Sequence, residues 1–477
     1  MPICPANRTI RYRRLVGWAV LLCHCAPVAL ANTAPPVDAA TVDRVVAEWL
    51  ASSGAPSASI AIVQDGRLAY AQAYGAARLN PRVPSTPAAR YAIDSVSKEF
   101  TAAAVLLLAE QGKLSLDDPI AKWFPELHTA AAVTLRQLLT HTSGLRDYWP
   151  QDFLTPEMTR PTTTGAIIDE WVQRPLDFEP GTDWQYSNTG YVLAGAIVEK
   201  ASGEPLFEFL SRRVFAPLHM SEVAEYSPTG GQSAYLSTRF TAGDAAGYTR
   251  HGLGPVVAAP KEGPGWLFGA AGLAMQPTDL ALWDLSLIDR SLLKPESYQT
   301  EFAPVILKSG RAQDYALGLD VESVQGRLRI GHSGSGSGFL ADNRIWPQER
   351  TAIVVLTNND WADPADLTDR IAFVVLAPTP AEARVRELFH AMQSGTVDRG
   401  LFSAIGNFYL TATVLVDLQS SLGPLGPARL IELEHETWRG GMTTRRWKIL
   451  CRGARLEAIE RSHPDGKIDE FMIAKKD

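Results

Sequence analysis

The sequence predicts an α+β fold: an antiparallel sheet flanked by helices, interrupted by a mostly helical subdomain, with a small α+β domain after it. Three observations carry that reading. Strand-like text lies at both ends of a long domain, at residues 57–76 and 315–358. The text between, from about 115 to 260, is helical and broken by proline and glycine. Beyond LAPTPAEA at 376–383, which reads as a linker, residues 379–477 carry helices and then four short strand-like runs. A sheet built from both ends of a domain carries helices on its faces. At roughly 150 residues per domain, the 477 residues suggest about three units. They are a leader over 1–31, a domain over 32–378 and a small domain over 379–477.

The leader comes first. Arg8, Arg11, Arg13 and Arg14 precede the apolar LVGWAVLLCHCAPVALA, which closes on Ala29-Leu30-Ala31. A basic n-region, an apolar h-region and an A-x-A site form the pattern of a secretory signal peptide. The alternative is a membrane anchor, but the run is short for a spanning helix and contains His24 and Pro27. Leu22 and His24 are too bulky to make a lipoprotein box of Cys23 or Cys25. Cleavage after Ala31 and a secreted or periplasmic protein are therefore expected. No other apolar run reaches membrane-spanning length, so no integral span is expected after cleavage. Cleavage removes four arginines and no acidic residue, taking the net charge from −7 to −11. An acidic chain is a poor partner for nucleic acid. Only Cys451 remains, so no intrachain disulfide is expected and a sizeable core must carry stability.

The main domain follows. Residues 41–52 read as an amphipathic helix, and SASIAIVQDGRLAYAQAYGAA as two strands joined at Asp65-Gly66, a hairpin signal. The polar RLNPRVPSTPAAR leads into TAAAVLLLAEQG, a helix closed by Gly112. VTLRQLLTHTSGL, TTGAIIDEWVQR and TGYVLAGAIVEKASG supply the helical insert. Thr278 or Asp279 is positioned to cap a helix through ALWDLSL. YALGLDVE, GRLRIGHSG, FLADNRIWP and RTAIVVLTNN read as strands, and Asp366–Leu376 as a helix packed on them. In the last domain ARVRELFHAMQSG is helical. RLIELEHETW, TTRRWKILC, ARLEAIERS and KIDEFMIAK read as strands, separated by turns at Gly440-Gly441, Arg452-Gly453 and Asp465-Gly466. RGGMTTRRW reads as an ordinary glycine turn with solvated arginines.

Three motifs carry chemistry. In DSVSKEFT, Ser95 stands where a helix begins and Lys98 lies on the same helical face. A serine hydroxyl becomes a nucleophile when a neighbouring base takes its proton. Lysine supplies that base only if burial or nearby cations lower its pKa, so Lys98 is expected to be shielded. A second S-x-x-K, Ser291 to Lys294, lacks this context and reads as chance. Tyr186-Ser187-Asn188 is the only Tyr-x-Asn in the chain. A tyrosine beside an ammonium can relay a proton, and an asparagine amide can grip a carbonyl. The plainer alternative is a helix start, with Ser187 or Asn188 as cap and Tyr186 as packing. His332-Ser333-Gly334, in RIGHSGSGSGF, falls at the end of a strand-like run. Gly334 would let a substrate lie along the backbone, and Ser335 could offer an N–H that forms an oxyanion hole with that of Ser95. A phosphate-cradling loop is excluded because a strand, not a helix, follows. A flexible hairpin loop stays open.

S-x-x-K, Y-x-N and [KH]-x-G in this order resemble the serine β-lactamase and penicillin-binding protein superfamily, most closely the class C β-lactamase, DD-peptidase and esterase branch. The flanks SVSKEFTAAAVLLLAEQGKLSLDDPI, VTLRQLLTHTSGL, FEPGTDWQYSNTGYVLAGAIVE and AAGLAMQPTDLALW agree, and the resemblance covers roughly residues 41–375. It implies a β-lactamase/transpeptidase-like fold and an exported serine hydrolase that acts through an acyl-enzyme on an ester, amide or peptide. Ser95 would attack, Lys98 and Tyr186 would share the base role, and Tyr186 would protonate the leaving group. Which of the two takes the serine proton stays open. Asn188, His332, Gly334 and Ser335 would bind substrate. No metal and no cofactor is expected.

Histidine in the third motif departs from the β-lactamase lysine and removes a permanent cation. Esterase or D-amino-acid peptidase activity is therefore favoured over true class C-like β-lactamase activity. A non-catalytic ligand or peptidoglycan binder on the same fold is the reading from another class. His141 in LLTHTSGL is expected to be structural, while Trp266 and Phe268 are candidates for the cleft wall. Loops at 145–165 and 225–265 are expected to shape the cleft. The C-terminal domain resembles cystatin-like or nuclear-transport-factor-like cones. Nothing in the sequence selects an oligomeric state.

Overall fold

The computed structural model describes residues 36–226, 236, 244–324 and 326–476. The expected leader, 1–31, lies outside the described residues, as do 227–235 and 237–243 of the second cleft loop. Helix α1, Ala39–Ser53, is capped by Asp38 and closed by Gly54. Strands β1 (Ser57–Gln64) and β2 (Arg67–Leu79) form the expected hairpin. The polar stretch after it supplies a short strand, β3 (Arg82–Pro84), that pairs with the end of β2. Late in the domain come β4 (Asp320–Val324), β5 (Arg327–Gly336), β6 (Phe339–Trp346) and β7 (Thr351–Thr357). They complete a seven-stranded sheet in the order β3-β2-β1-β7-β6-β5-β4. The two halves join where β1 pairs antiparallel with β7, Ala58 opposite Thr357.

The sheet is buried on both faces, as its central runs require. All eight residues of β1 are buried. Ala61 and Val63 join the large core with the insert, whereas Ala58, Ile60 and Ile62 join a second core with α1 and α5 (Pro364–Val375). The period of two along an apolar strand thus feeds two separate layers. Helix α2, Ser97–Glu110, runs through the large core with every residue from Ser97 to Leu108 buried. A helix apolar on all sides belongs in an interior. Helix α3, Asn188–Ser202, packs against it, capped by the Ser187 hydroxyl and closed by Gly203.

Four expectations need correction. The first late strand starts at Asp320, not at 315. Gly318 at φ 76 turns the chain over the Lys98 carbonyl, and only Tyr315 makes an isolated bridge to Asp320. Neither Thr278 nor Asp279 caps α4 (Pro277–Asp289). Gln276 occupies the cap position with Pro277 at the first helical position, and the Asp279 carboxylate instead accepts the Glu222 N–H at 3.1 Å. The second half of the expected linker, 380–383, is helix, because Thr379 caps α6 (Pro380–Ser394) through a capping box with Glu382. Finally, β5 runs through His332-Ser333-Gly334 to Gly336 rather than ending there, so that motif is strand and not a flexible loop.

The C-terminal stretch places α6 and α7 (Ala412–Leu422) against an antiparallel meander of β8 (Leu430–Arg439), β9 (Met442–Cys451), β10 (Ala454–Ser462) and β11 (Ile468–Lys476). Val385, Leu388, Phe389, Trp447, Ile449 and Phe471 form its own core. Gly440 and Gly441 make the expected turn, both with left-handed φ.

Candidate active site

Ser95 sits on the single 3-10 turn Asp94–Val96 that precedes α2. Asp94 adopts φ 45 there, a conformation L residues rarely hold and one that clusters at functional turns. Lys98 is fully buried in the first turn of α2, and its Nζ lies 3.0 Å from Ser95 Oγ. The same amine reaches Asn188 Oδ1 at 2.8 Å and the Ala270 carbonyl at 2.8 Å. The Tyr186 hydroxyl donates to Ser95 Oγ at 2.8 Å, and the lysine amine lies 4.8 Å from the centre of its ring. The structure therefore brings Ser95, Lys98, Tyr186 and Asn188 into one hydrogen-bonded group, from positions up to 93 residues apart in the numbering.

The electrostatics suit a nucleophile and its base. Burial pulls the Lys98 ammonium down to about 7, against the opposing pull of Asp147 and Asp94. A neutral amine has two N–H groups and one lone pair. Asn188 and Ala270 take the two N–H groups, which leaves the lone pair for the serine proton. Burial raises the Tyr186 phenol well above its usual value, so it remains a proton donor at neutral pH.

Asp147 was not singled out by the sequence. Its carboxylate accepts Asn188 Nδ2 at 3.1 Å, the Asn188 backbone N–H at 3.2 Å and the Trp149 N–H at 3.0 Å. It thereby turns the Asn188 amide oxygen toward Lys98. No local pattern flags it, because it lies 41 residues from its partner in a loop. Asn188 is thus engaged on both sides of its amide, which makes it a holder of Lys98 in this structure.

His332 is buried on β5 and Ser333 and Ser335 are exposed, and all three line the cleft. β4 pairs with β5 only as far as Gly331, so from His332 to Gly336 the strand pairs with β6 alone. Gly334 is required by its own backbone surroundings. A Cβ there would meet the Ile93 carbonyl oxygen at 2.2 Å, so glycine lets β5 lie against the turn that carries Ser95. Burial lowers His332 to about 4, so it is a neutral imidazole. His141 is buried at φ 57 with its ring 4.3 Å from that of Tyr186 and makes no contact with Ser95 among its hydrogen bonds. Trp266 and Phe268 are not wall residues. The Trp266 indole donates to the Arg160 carbonyl at 2.7 Å, and Phe268 packs against Phe207 and Gly195.

A cleft of about 1000 Å³ opens over this group. Ser95, Tyr186, Asn188, His332 and Ser335 line its floor, residues 147–154 one wall, and Thr249, Arg250, His251 and Asp360 another part. The first expected cleft loop is therefore present. Among the described residues no cluster of histidine, cysteine and acidic side chains could hold a metal ion.

With this geometry in place, comparison with known proteins gives a consistent result. The β-lactamase family model matches residues 42–376. Penicillin-binding protein 4* of Bacillus subtilis is 29% identical over 314 residues, covering 63% of this chain and 68% of that protein. The next relatives are covered over 62% of their length, so the chain spans about two thirds or less of the curated relatives it matches. An octameric penicillin-binding protein homologue from Pyrococcus abyssi shares the fold with TM-score 0.63 at 23% identity, over 92% of this chain and 97% of that one. A D-amino acid amidase from Ochrobactrum anthropi does so with TM-score 0.61 at 24% identity, over 70% and 97%. The protein has the β-lactamase/transpeptidase-like fold with an additional C-terminal domain, and it belongs to the β-lactamase family of serine hydrolases.

Proposed function

We propose that this chain hydrolyses an ester or amide through an acyl-enzyme formed on Ser95, as an esterase or D-amino-acid peptidase. The observation that carries the reading is the buried Lys98 amine 3.0 Å from Ser95 Oγ, its pKa lowered by burial to about 7 so that it can take a proton near neutral pH. Lys98 takes the serine proton as Oγ attacks the carbonyl. The Ser95 and Ser335 backbone amides, both at the cleft floor, hold the developing oxyanion. The Tyr186 phenol is positioned to hand a proton to the leaving group, and the proton that Lys98 took from the serine balances the one Tyr186 gives up. Water cleaves the acyl-enzyme in a second step by the same groups in reverse. The names of relatives, a penicillin-binding protein and a D-amino acid amidase, support amide-type substrates.

A β-lactamase is the second reading. It is weakened by the neutral His332, which replaces a fixed cation where a β-lactam carboxylate would sit. A purely binding role leaves the matched nucleophile and base without purpose. We further propose that residues 1–31 are a cleaved leader and that the enzyme works in the periplasm or outside the cell. In support, the leader carries the n-, h- and cleavage-site pattern, and among the described residues no helix is long and apolar enough to cross a membrane.

The test is fluorophosphonate labelling with peptide mapping, alongside turnover of p-nitrophenyl butyrate, D-phenylalanine amide and nitrocefin. Labelling at Ser95 with ester or amide turnover, both abolished in Ser95→Ala, is the expected outcome. Nitrocefin cleavage without ester or amide cleavage reverses the order of the two enzymatic readings, and no labelling favours a binder.

A further inference from the structure

Two glycines of β5 flank Ser335, whose N–H the hydrolase reading places in the oxyanion hole. Residues two apart on a strand face the same side, and Gly334 and Gly336 both turn that side to the segment carrying Ser95. The Ile93 carbonyl occupies the space a side chain at Gly334 would need. The Asp94 carboxyl occupies the corresponding space at Gly336, where an added Cβ would meet Asp94 Cγ at 2.5 Å. Ser335 therefore lies between two contacts made by consecutive residues of the turn, the second of them next to the nucleophile. These contacts matter because β5 has no β4 partner beyond Gly331 and pairs there with β6 alone.

Asp94 is an unexpected residue for this contact. Its side chain is 1% exposed, and its Oδ2 is buried without a hydrogen-bond partner. A carboxylate in that position is costly, and the group becomes neutral instead. Burial accordingly raises its pKa well above the usual carboxylate range. The backbone at 94, with φ 45, would also be easier for glycine. What glycine would lack is the carboxyl against Gly336.

We propose that Asp94 is a positioning residue: its carboxyl, in the uncharged form, is the wedge that keeps the Ser335 N–H in register with the Ser95 N–H. The inference rests on the serine hydrolase reading above. The groups around Asp94 act in both directions. Lys98 on α2 favours its ionised form, and Glu262, whose carboxylate accepts the Ser337 N–H at 3.0 Å just beyond β5, opposes it. Tyr186 ahead of α3 and Tyr226 complete the titratable surroundings, both with phenols that burial keeps protonated. Gly334, Ser335 and Gly336 bring no charge to the contact. An ionised Asp94 would do harm twice. It would stand beside the developing oxyanion, and it would pull the Lys98 ammonium upward, away from its working range.

The test measures kcat and KM on p-nitrophenyl butyrate for the full chain and its variants, with folding checked by circular dichroism. Asp94→Asn keeps the shape without a charge, and is expected to hold kcat within about fivefold of wild type. Its acid limb, set by Lys98, is expected at the same pH as in wild type, because neither chain carries a charge at 94. Asp94→Gly suits the backbone better but lacks the wedge, and kcat is expected to fall about a hundredfold with KM little changed. Gly336→Ala forces the same surfaces apart and is expected to lose a similar factor. In the double variant Asp94→Gly/Gly336→Ala the new methyl fills the vacated space, so kcat is expected to recover by about tenfold over either single variant. Where one single variant fails to fold, the double variant against the other carries the same comparison. Full activity in a folded Asp94→Gly, or no recovery in the double variant, overturns the wedge. An acid limb displaced in Asp94→Asn overturns the uncharged form, and the proposal with it. Absence of any Ser95-dependent turnover in the wild type is a different result: it overturns the hydrolase reading, and the inference falls too.

Discussion

At the residue scale, two buried ionisable groups one position apart on α2 have opposite consequences. Lys98 works as a base only when neutral, and its amine is held near a pKa of about 7. The kcat/KM for a neutral ester is therefore expected to be flat above that pH and to fall about tenfold per unit below it. A pH–rate profile on p-nitrophenyl butyrate checks this, and an acid limb centred near pH 4 would remove Lys98 from the role. Lys98→Ala should lower kcat by about two to four orders of magnitude at its optimum. Glu99, also buried, receives the Trp283 indole N–H at 2.5 Å and the Asn343 amide at 3.3 Å, and burial pushes its carboxyl up to about 8. Its folded pKa lies above the unfolded one, so the folded state holds a proton that the unfolded state has released. The resulting stabilisation is complete at acid pH and is lost as pH rises from about 4.5 to about 8. Glu99→Gln has no such proton to lose. The Tm of the variant should gain on wild type steadily across that window and no further above it; parallel Tm curves would contradict the assignment.

At the element scale, the site exists because three elements meet without room between them. The turn before α2 carries Ser95, the start of α3 carries Asn188, and β5 carries His332 and Ser335. Gly334 is the point of closest approach, with the Ile93 carbonyl occupying the space a side chain would need. Gly334→Ala must push β5 off the turn. It should cost about 1–3 kcal/mol in stability from overpacking, and turnover should fall more steeply than stability, since about 1 Å of misplacement costs on the order of a hundredfold in rate. Chemical denaturation and ester kinetics on the same preparation separate the two effects. Normal turnover in Gly334→Ala would show that this contact does not set the geometry. The strands and long helices were legible because apolar spacing and caps are local signals. The miscast pieces, 315–319 and the linker, were not, because a turn over the Lys98 carbonyl and a capping box in proline-rich text look like a strand and a loop until their partners are present.

At the scale of the molecule, the C-terminal helices and meander enclose a core of their own, centred on Trp447, whose indole Nε1 donates to the buried Glu460 at 3.3 Å. Trp447→Ala is expected to cost about 3–5 kcal/mol in that core while leaving the catalytic group, built wholly from residues 94–335, in place. Calorimetry should then show an early transition with ester turnover surviving it; a single transition with parallel loss of activity would mean that the two cores unfold together. By itself the sequence determined the sheet drawn from both ends, the helical insert and the meander, because apolar spacing and turn residues are local signals, and its motifs singled out Ser95, Lys98 and Tyr186, which the structure brings into one hydrogen-bonded group. Only the tertiary structure decided that Asp147 orients Asn188, that Trp266 and Phe268 pack away from the cleft, that Gly334 serves the backbone of Ile93, and that His332 is neutral. Those facts depend on burial and on which distant groups share a hydrogen bond, and neither leaves a periodic trace along the chain.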